Sequence, residues 1–395
     1  MMIDFRLDEE QEAFRKTVEQ FARDVVAPAA AGYDASGEFP YPIVEQMGRM
    51  GLFGLPFPES YGGMDGDFFA LCLALEELAR ADSSVAITLE AGVCLGAMPV
   101  YRFGTEEQKR RWLPELAGGQ RLGAFGLTEP GGGSDAGATR STAVADGDQW
   151  VLNGSKSFIT NAGTDVTSLV TVTALTDASG DRSGDRKEIS AILVPAGTPG
   201  LQVGPPYSKV GWHASDTREL AFTDCRVPLE NLLGERGRGF AQFLSILDEG
   251  RVALAALAVG LAQACVDECV RYAAQRTAFG TNIGRHQAVQ FMIADMEVRA
   301  HTARLAYHDA AARLVAGLPF KRQAAIAKLH ASTIAVDNAR DATQIFGGYG
   351  FMNDYPVARH WRDAKVLEIG EGTSEIQRMV IARELGVGTV VSEAT

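Results

Sequence analysis

The stretch WVLNGSKSFITNAGTDVTSLVTVT, residues 150–173, decides the fold. Its Trp150–Leu152 and Ser168–Thr173 runs are rich in β-branched and aromatic residues, which suit a pleated, half-buried surface. Gly, Asn and Asp lie between them and mark turns. The same signature recurs at Ala143–Ala145, Ile189–Val194 and Leu220–Phe222. These runs predict an antiparallel β domain over residues 122–232, a small barrel or a sandwich. Within it, TDASGDRSGDRKE (176–188) is polar and Gly-rich and reads as an exposed loop.

Both flanks change character. Residues 1–121 read as an N-terminal all-α domain. Asp8 suits the cap of a helix starting at Glu9. Leu7, Phe14, Val18, Phe21 and Val25 keep near-helical spacing, and Pro28 ends the pattern. GLFGLPFPESYGG (51–63) is a loop punctuated by Gly and Pro. Asp67–Arg80 and Thr105–Leu116 read as further helices, with Thr105 and Gln108 forming a capping box.

Residues 233–395 read as a C-terminal four-helix bundle. Its helices are expected from Phe240 to about Thr277, from His286 to about Ala316, from Pro319 to about Phe346, and from Glu375 to about Leu385. Glycines at 280, 317 and 347 supply the stops. The expected class is therefore α+β multidomain, in the order α, β, α.

Composition bounds the function. The 395 residues are 46% apolar and 22% charged, which excludes a disordered chain, a collagen and a small disulfide scaffold. Lys and Arg total 37 against 50 Asp and Glu, a net charge of −13. Such an acidic chain argues against nucleic-acid binding. The longest apolar run, Val252–Ala262, is too short to cross a bilayer and reads as a core helix, so no membrane insertion is expected. The acidic opening MMIDFRLDEEQEAF does not read as a signal peptide. The five cysteines lack CxxC spacing. They read as buried free thiols of a cytoplasmic protein, with no metal site.

Five constellations carry chemical potential. FGLTEPGGGSDAGATRS (125–141) has three glycines in a row, whose unobstructed N–H groups can wrap an anionic or heteroaromatic ligand. In KSFITNAG (156–163), Phe158 can lie against a flat ring and Thr160 can donate to it. LDEGR (247–251) places Asp248 and Arg251 at the edge of an apolar helix, where Arg251 suits a carboxylate or phosphate. RTAFG (276–280), with Gln287 and QIFGGYG (344–350), sets polar donors beside helix ends. The Arg276 fork suits a pyrophosphate. In EIGEGTSEIQR (368–378), Glu371 sits between Gly370 and Gly372, just before a helix that Ser374 and Gln377 would cap with a box. A carboxylate so placed suits a positioned base.

Taken together and in order, these stretches resemble the acyl-CoA dehydrogenase family from about residue 5 to 386. The motifs are LTEPGGGSDA, FITNAG, the Arg276–Phe279–Gln287 set, IADM (293–296), QIFGGYGF, PVARHWRDAK and EGTSEIQR. VGWHASDTREL (210–220) and LDEGR most resemble short- and branched-chain members.

The resemblance implies a non-covalent FAD. It places Phe125, Leu127, Thr128, Gly133 and Ser134 along the flavin, with Phe158, Ile159 and Thr160 at its ring. It assigns Arg276, Phe279, Gln287, Gln344, Ile345, Gly347 and Gly348 to the FAD of another subunit. Thr373 and Glu375 fall where the family touches cofactor again. Ser134, Asp248, Arg251, Gly370 and Gly372 match substrate contacts. Glu371 matches the catalytic base. Gly250 stands where some members carry that base instead, and the neighbouring Glu249 points about 100° away on a helix.

The implied reaction is α,β-dehydrogenation of an acyl-CoA to a trans-2-enoyl-CoA. Glu371 removes the α-proton, flavin N5 accepts the β-hydride, and electrons pass to electron-transfer flavoprotein. A homotetramer is expected, with fatty-acid β-oxidation and branched-chain amino-acid catabolism as candidate pathways. Gly370 stands where many straight-chain members have Tyr, which opens room for short branched acyl groups. A flavin oxidase or monooxygenase on the same fold, and a non-catalytic acyl-CoA-binding protein, are the alternatives.

Overall fold

The computed structural model describes residues 6–177 and 187–387. Most of the loop expected over 176–188 lies outside the described residues. In chain order the helices begin with α1 (Glu9–Phe21), α2 (Ala27–Ser36), α3 (Tyr41–Arg49), α4 (Phe68–Ala81), α5 (Ser83–Glu90), α6 (Met98–Phe103) and α7 (Glu106–Ala117). The strands follow as β1 (Leu122–Gly126), β2 (Thr142–Asp146), β3 (Gln149–Thr160), β4 (Thr167–Leu175), β5 (Ile189–Pro195), β6 (Leu201–Val203), β7 (Thr217–Pro228) and β8 (Leu232–Leu233). Then come α8 (Gly239–Gln275), the two-residue strands β9 (Thr277–Ala278) and β10 (Thr281–Asn282), α9 (Gln287–Val315), α10 (Lys321–Phe346), α11 (Pro356–Leu367) and α12 (Ser374–Glu384).

Packing divides the described residues into two compact units, one of residues 6–31, Cys72–Ser83 and Arg251 onward, the other of Gly32–Leu71 and Ser84–Gly250.

The second unit holds the sheet. Its order is β6-β7-β3-β2-β4-β5-β8, and the path ends on β6 and β8 without closing into a barrel. Most pairs are antiparallel, but β1 joins β4 in parallel. Trp150, Leu152, Val170, Ile192, Val194, Leu220 and Phe222 form its core. A π-helical segment, Ala91–Ala97, lies against β1. Two glycines permit that approach: a Cβ on Gly96 would stand 2.7 Å from the Gly123 carbonyl oxygen.

The first unit is helical. In it α10 packs against α9, α11 and α12. A Cβ at Gly260 of α8 would overlap the carbonyl of Glu76 in α4, so glycine is required at that crossing. The buried Glu76 accepts there from Arg304 and from Tyr307.

The helix caps at Asp8 and Thr105 form as expected, each with its box closed by Gln11 or Gln108. Two local expectations fail. Pro28 does not stop the first helix: a π-helical turn, Ala22–Val26, precedes it and the chain stays helical to Ser36. A widened turn tolerates the missing proline N–H. Ser374 and Gln377 do not form a capping box. Thr373 is the cap, accepting from Ile376, and Gln377 reaches back to the carbonyls of Glu371 and Gly372.

Two stretches, Ser83–Phe103 and Gly239–Gln275, are long and apolar enough to cross a bilayer. Both are core elements here, with 94% and 83% of their most apolar windows buried in protein. All five cysteines are buried and unbridged, and among the described residues no side-chain cluster suits a metal.

Candidate active site

In the sheet unit the glycine loop and the β3 segment meet through one buried ion pair. Lys156 is 0% exposed and donates to Glu129 at 2.8 Å, to the Leu127 carbonyl at 3.3 Å and to Thr173 at 3.2 Å. Glu129 also accepts from the backbone N–H groups of Arg140 and Ser141. Burial pushes the Glu129 carboxyl up, but Lys156 and these donors outweigh it and hold it below the usual carboxylate range. The Ser157 N–H donates to the Thr128 carbonyl, closing the link. The sequence reading missed both charged residues, although both lie inside its quoted motifs. Their signal was an acid in the glycine loop and a base opening the KSFITNAG stretch.

A bulge in β3 re-aims one aromatic. The β3–β7 register shifts between Lys156 and Ile159. Phe158 sits in that shift at φ 62° and is 66% exposed, while Ser157 and Ile159 are buried. Bulges turn a side chain out of the alternating pattern, and a left-handed aromatic is strained. Here the strain holds a ring in the open, near Tyr207. Thr160 is half-buried two residues on. The side chains of Phe125, Leu127 and Ile159 are in the core, with Phe125 stacked on Phe243 at 3.9 Å. From these three only the backbone is left for a ligand. Gly133 and Ser134 are exposed, and a Cβ on Gly131 or Gly133 would touch nothing within 4 Å. Internal packing therefore does not explain those glycines.

In the same unit Arg102 grips Glu249, at 3.0 and 3.1 Å. Burial pushes the Glu249 carboxyl up while Arg102 opposes it. That carboxylate is engaged and is no substitute for a base at Gly250. Asp248 beside it is half-buried.

The helical unit carries a groove of about 570 Å³ at the end of α10. Arg276, Ile345, Gly347 and Gly348 line it, with Tyr272, Phe346 and Tyr349. The Arg276 guanidinium lies over the Tyr349 ring at 5.5 Å. Gly347 has φ 61° and open space at its Cβ position, as does Gly348. Four expected residues thus converge. Gln344 and Gln287 are exposed but do not line the groove. Phe279, at the tip of the β9–β10 hairpin, is 96% exposed at φ 54°.

The turn between α11 and α12 holds Glu371. The residue is left-handed, at φ 53°, and Gly372 follows at φ 94°. Such backbone costs about 1 kcal/mol or more and clusters at functional sites. The Glu371 Oε2 atom is closed off from solvent. Gln377 donates to the Gly372 carbonyl at 2.8 Å, and so does Lys328 from α10, also at 2.8 Å. Arg251 is 4% exposed and, with Glu371, is among the charges that act on Lys328. Gly370 has room: its Cβ would meet only the Val366 carbonyl oxygen, at 3.5 Å. Glu375 points to solvent, where the N-terminus of its own helix and Thr373 hold its carboxyl below the usual range. The reading overlooked Lys328. Its signal was a lysine in line with the buried Ala324, Ala331 and Ala335 of α10.

The comparisons identify the family. The N-terminal domain of acyl-CoA dehydrogenases matches residues 8–120, the middle domain 124–225 and the C-terminal domain 237–386. A Bacillus subtilis protein described as "Probable acyl-CoA dehydrogenase YngJ" is 49% identical, over 97% of this chain and 100% of its own. The structure of butyryl-CoA dehydrogenase from Megasphaera elsdenii superposes with a TM-score of 0.93 at 42% identity, covering 97% of this chain and 100% of that one. A chain solved in work on the electron transferring flavoprotein of Acidaminococcus fermentans gives 0.93 at 44%, covering 97% and 99%. The chain belongs to the acyl-CoA dehydrogenase family.

Proposed function

We propose that this chain binds FAD and dehydrogenates a short or branched acyl-CoA to its trans-2-enoyl-CoA, with Glu371 as base. The observation that carries the reading is the strained turn at Glu371, with an acid held left-handed between two glycines. The residues present fit the cofactor. Gly131, Gly133, Gly347 and Gly348 leave backbone open where packing does not ask for glycine, and Phe158 presents a bare ring beside Thr160. Arg276, in its groove, suits the pyrophosphate. Phe279, Gln287 and Gln344 lie exposed, as contacts to a second subunit's cofactor in a homotetramer require.

Bound FAD supplies the hydride acceptor for the β-carbon. Glu371 takes the α-proton, and its backbone N–H donates to the thioester oxygen as negative charge gathers there. By the family resemblance, Arg251, Gly370 and Gly372 in the helical unit and Ser134 and Asp248 in the sheet unit are the acyl-CoA contacts. Electrons leave to electron-transfer flavoprotein. Five buried cysteines, none in a disulfide, agree with a reducing cytoplasm. Mass spectrometry of the thioester after turnover tests the reaction: butyryl-CoA should lose two hydrogens, and recovery of unchanged thioester under an added electron acceptor contradicts it.

Phe158→Ala should weaken FAD binding about tenfold, the worth of one aromatic stacking contact. Fluorescence titration of the apoprotein with FAD reads this, and an unchanged affinity removes Phe158 from the ring. Gly370→Tyr should fill the open space beside the base. We expect kcat/KM for isobutyryl-CoA to fall about tenfold or more, while that for butyryl-CoA changes little. Equal losses on both thioesters contradict a pocket that Gly370 widens.

A further inference from the structure

We infer that Lys328 is a positioning residue for Glu371, acting through the Gly372 carbonyl and through a buried positive charge beside the base. The inference rests on the reading of Glu371 as that base.

One face of α10 carries a buried stripe. Ala324, Ala331 and Ala335 are fully buried, and Lys328 shares their face, itself 1% exposed. A buried ammonium is costly unless it is hydrogen-bonded and near compensating charge. It finds both at one turn. Its Nζ donates to the Gly372 carbonyl at 2.8 Å. That oxygen accepts a second side-chain donor, Nε2 of Gln377, at 2.8 Å. The left-handed pair Glu371–Gly372 is thus held from two helices, α10 and α12.

The charges that act on Lys328 are Glu371, Arg251, Glu368 and Glu375. Burial pulls the ammonium down to about 8; Glu371 is the strongest of the groups that keep the proton on, and Arg251 opposes it. The influence is mutual. A cation beside Glu371 favours its ionised form, which a base must have before it can act. Gln377 supplies the same hydrogen bond without charge, so the two effects separate by mutation.

The test uses the FAD-bound full chain turning over butyryl-CoA with an artificial acceptor. Lys328→Met should keep the flavin and leave KM within about twofold. Its kcat should fall about tenfold or more, and the acid limb of kcat should move up by about one pH unit, the lower end of what an opposite charge supplies. Gln377→Leu should lower kcat without moving that limb. An unmoved limb and unchanged kcat in Lys328→Met overturn the inference, and so does an equal movement in Gln377→Leu. If Lys328→Met does not accumulate with FAD, the wild-type profile decides. The kcat should fall with an alkaline limb near pH 8 as the ammonium loses its proton, and a flat profile through that range overturns the inference. Failure of the base reading looks different: Glu371→Gln would then turn over at the wild-type rate, whatever Lys328 does.

Discussion

Glu371→Gln should retain the flavin and bind acyl-CoA, yet bleach about a thousandfold more slowly than the wild type. The substitution keeps size and shape and removes the proton acceptor. General base catalysis is worth roughly 10²–10⁴-fold, and a thioester α-proton is too weakly acidic to leave unaided. The strained backbone is preserved as well, because Gln at φ 53° pays the same penalty as Glu. Stopped-flow absorbance under anaerobic conditions reads the rate. Bleaching at the wild-type rate would falsify the base assignment. Glu249 offers no easy replacement, because Arg102 holds both of its oxygens.

Lys156→Met should destabilise the sheet unit by about 3 kcal/mol, and FAD affinity should fall with it. Removing one partner of a buried pair typically costs roughly 3–5 kcal/mol, because the other charge is stranded. The lower end applies because Glu129 keeps two backbone donors, from Arg140 and Ser141. The loss should reach the cofactor because the pair ties the Leu127–Ser134 loop to the segment that carries Phe158. Glu129→Gln combined with Lys156→Met should recover part of the loss, since no charge is then stranded. The pH dependence has a definite sign. The Glu129 carboxyl is held below its usual value near 4.5, so its stabilisation is present above that pH and is lost as pH falls. The wild type should therefore shed FAD on acidification, whereas in Lys156→Met, where burial is no longer offset by the ammonium and protonation of Glu129 removes the stranded charge, that acid-linked loss should shrink. Thermal melts with flavin fluorescence across pH report both effects; an unchanged midpoint and unchanged FAD affinity in Lys156→Met contradict the link.

The legible parts of the sequence were those where one residue type has one physical use. Each β-type run fell inside a strand: Trp150–Leu152 in β3, Ser168–Thr173 in β4, Ile189–Val194 in β5. Gly317 and Gly347 ended their helices because both need positive φ, at 65° and 61°. The α11 helix went unread, though its residues were quoted as a motif. Arg359, His360 and Asp363 are buried on it and interrupt the apolar stripe that marks a helix. Burial pulls His360 down to about 3, so it packs as a neutral ring that no periodicity count scores as core. The Phe158 bulge was also invisible, since a register shift is a property of the β3–β7 pair rather than of either strand.

The candidate site was half legible. Glu371 and the glycine loops stood out because glycine beside a functional group has few other uses. Lys156, Glu129 and Lys328 did not, because a charged residue is ordinarily at the surface and only the fold shows that these are enclosed. The shared role of the three is support. They hold backbone carbonyls and turns in place, and the groups proposed to meet ligand are carried on those turns.

The most direct test of the central claim is the visible spectrum of the purified protein during anaerobic titration with butyryl-, isobutyryl- and octanoyl-CoA. The protein should be yellow, and its flavin band should bleach with butyryl- and isobutyryl-CoA at lower concentration than with octanoyl-CoA. A colourless protein that FAD cannot reconstitute, or a yellow one that none of the three thioesters bleaches, would contradict that claim.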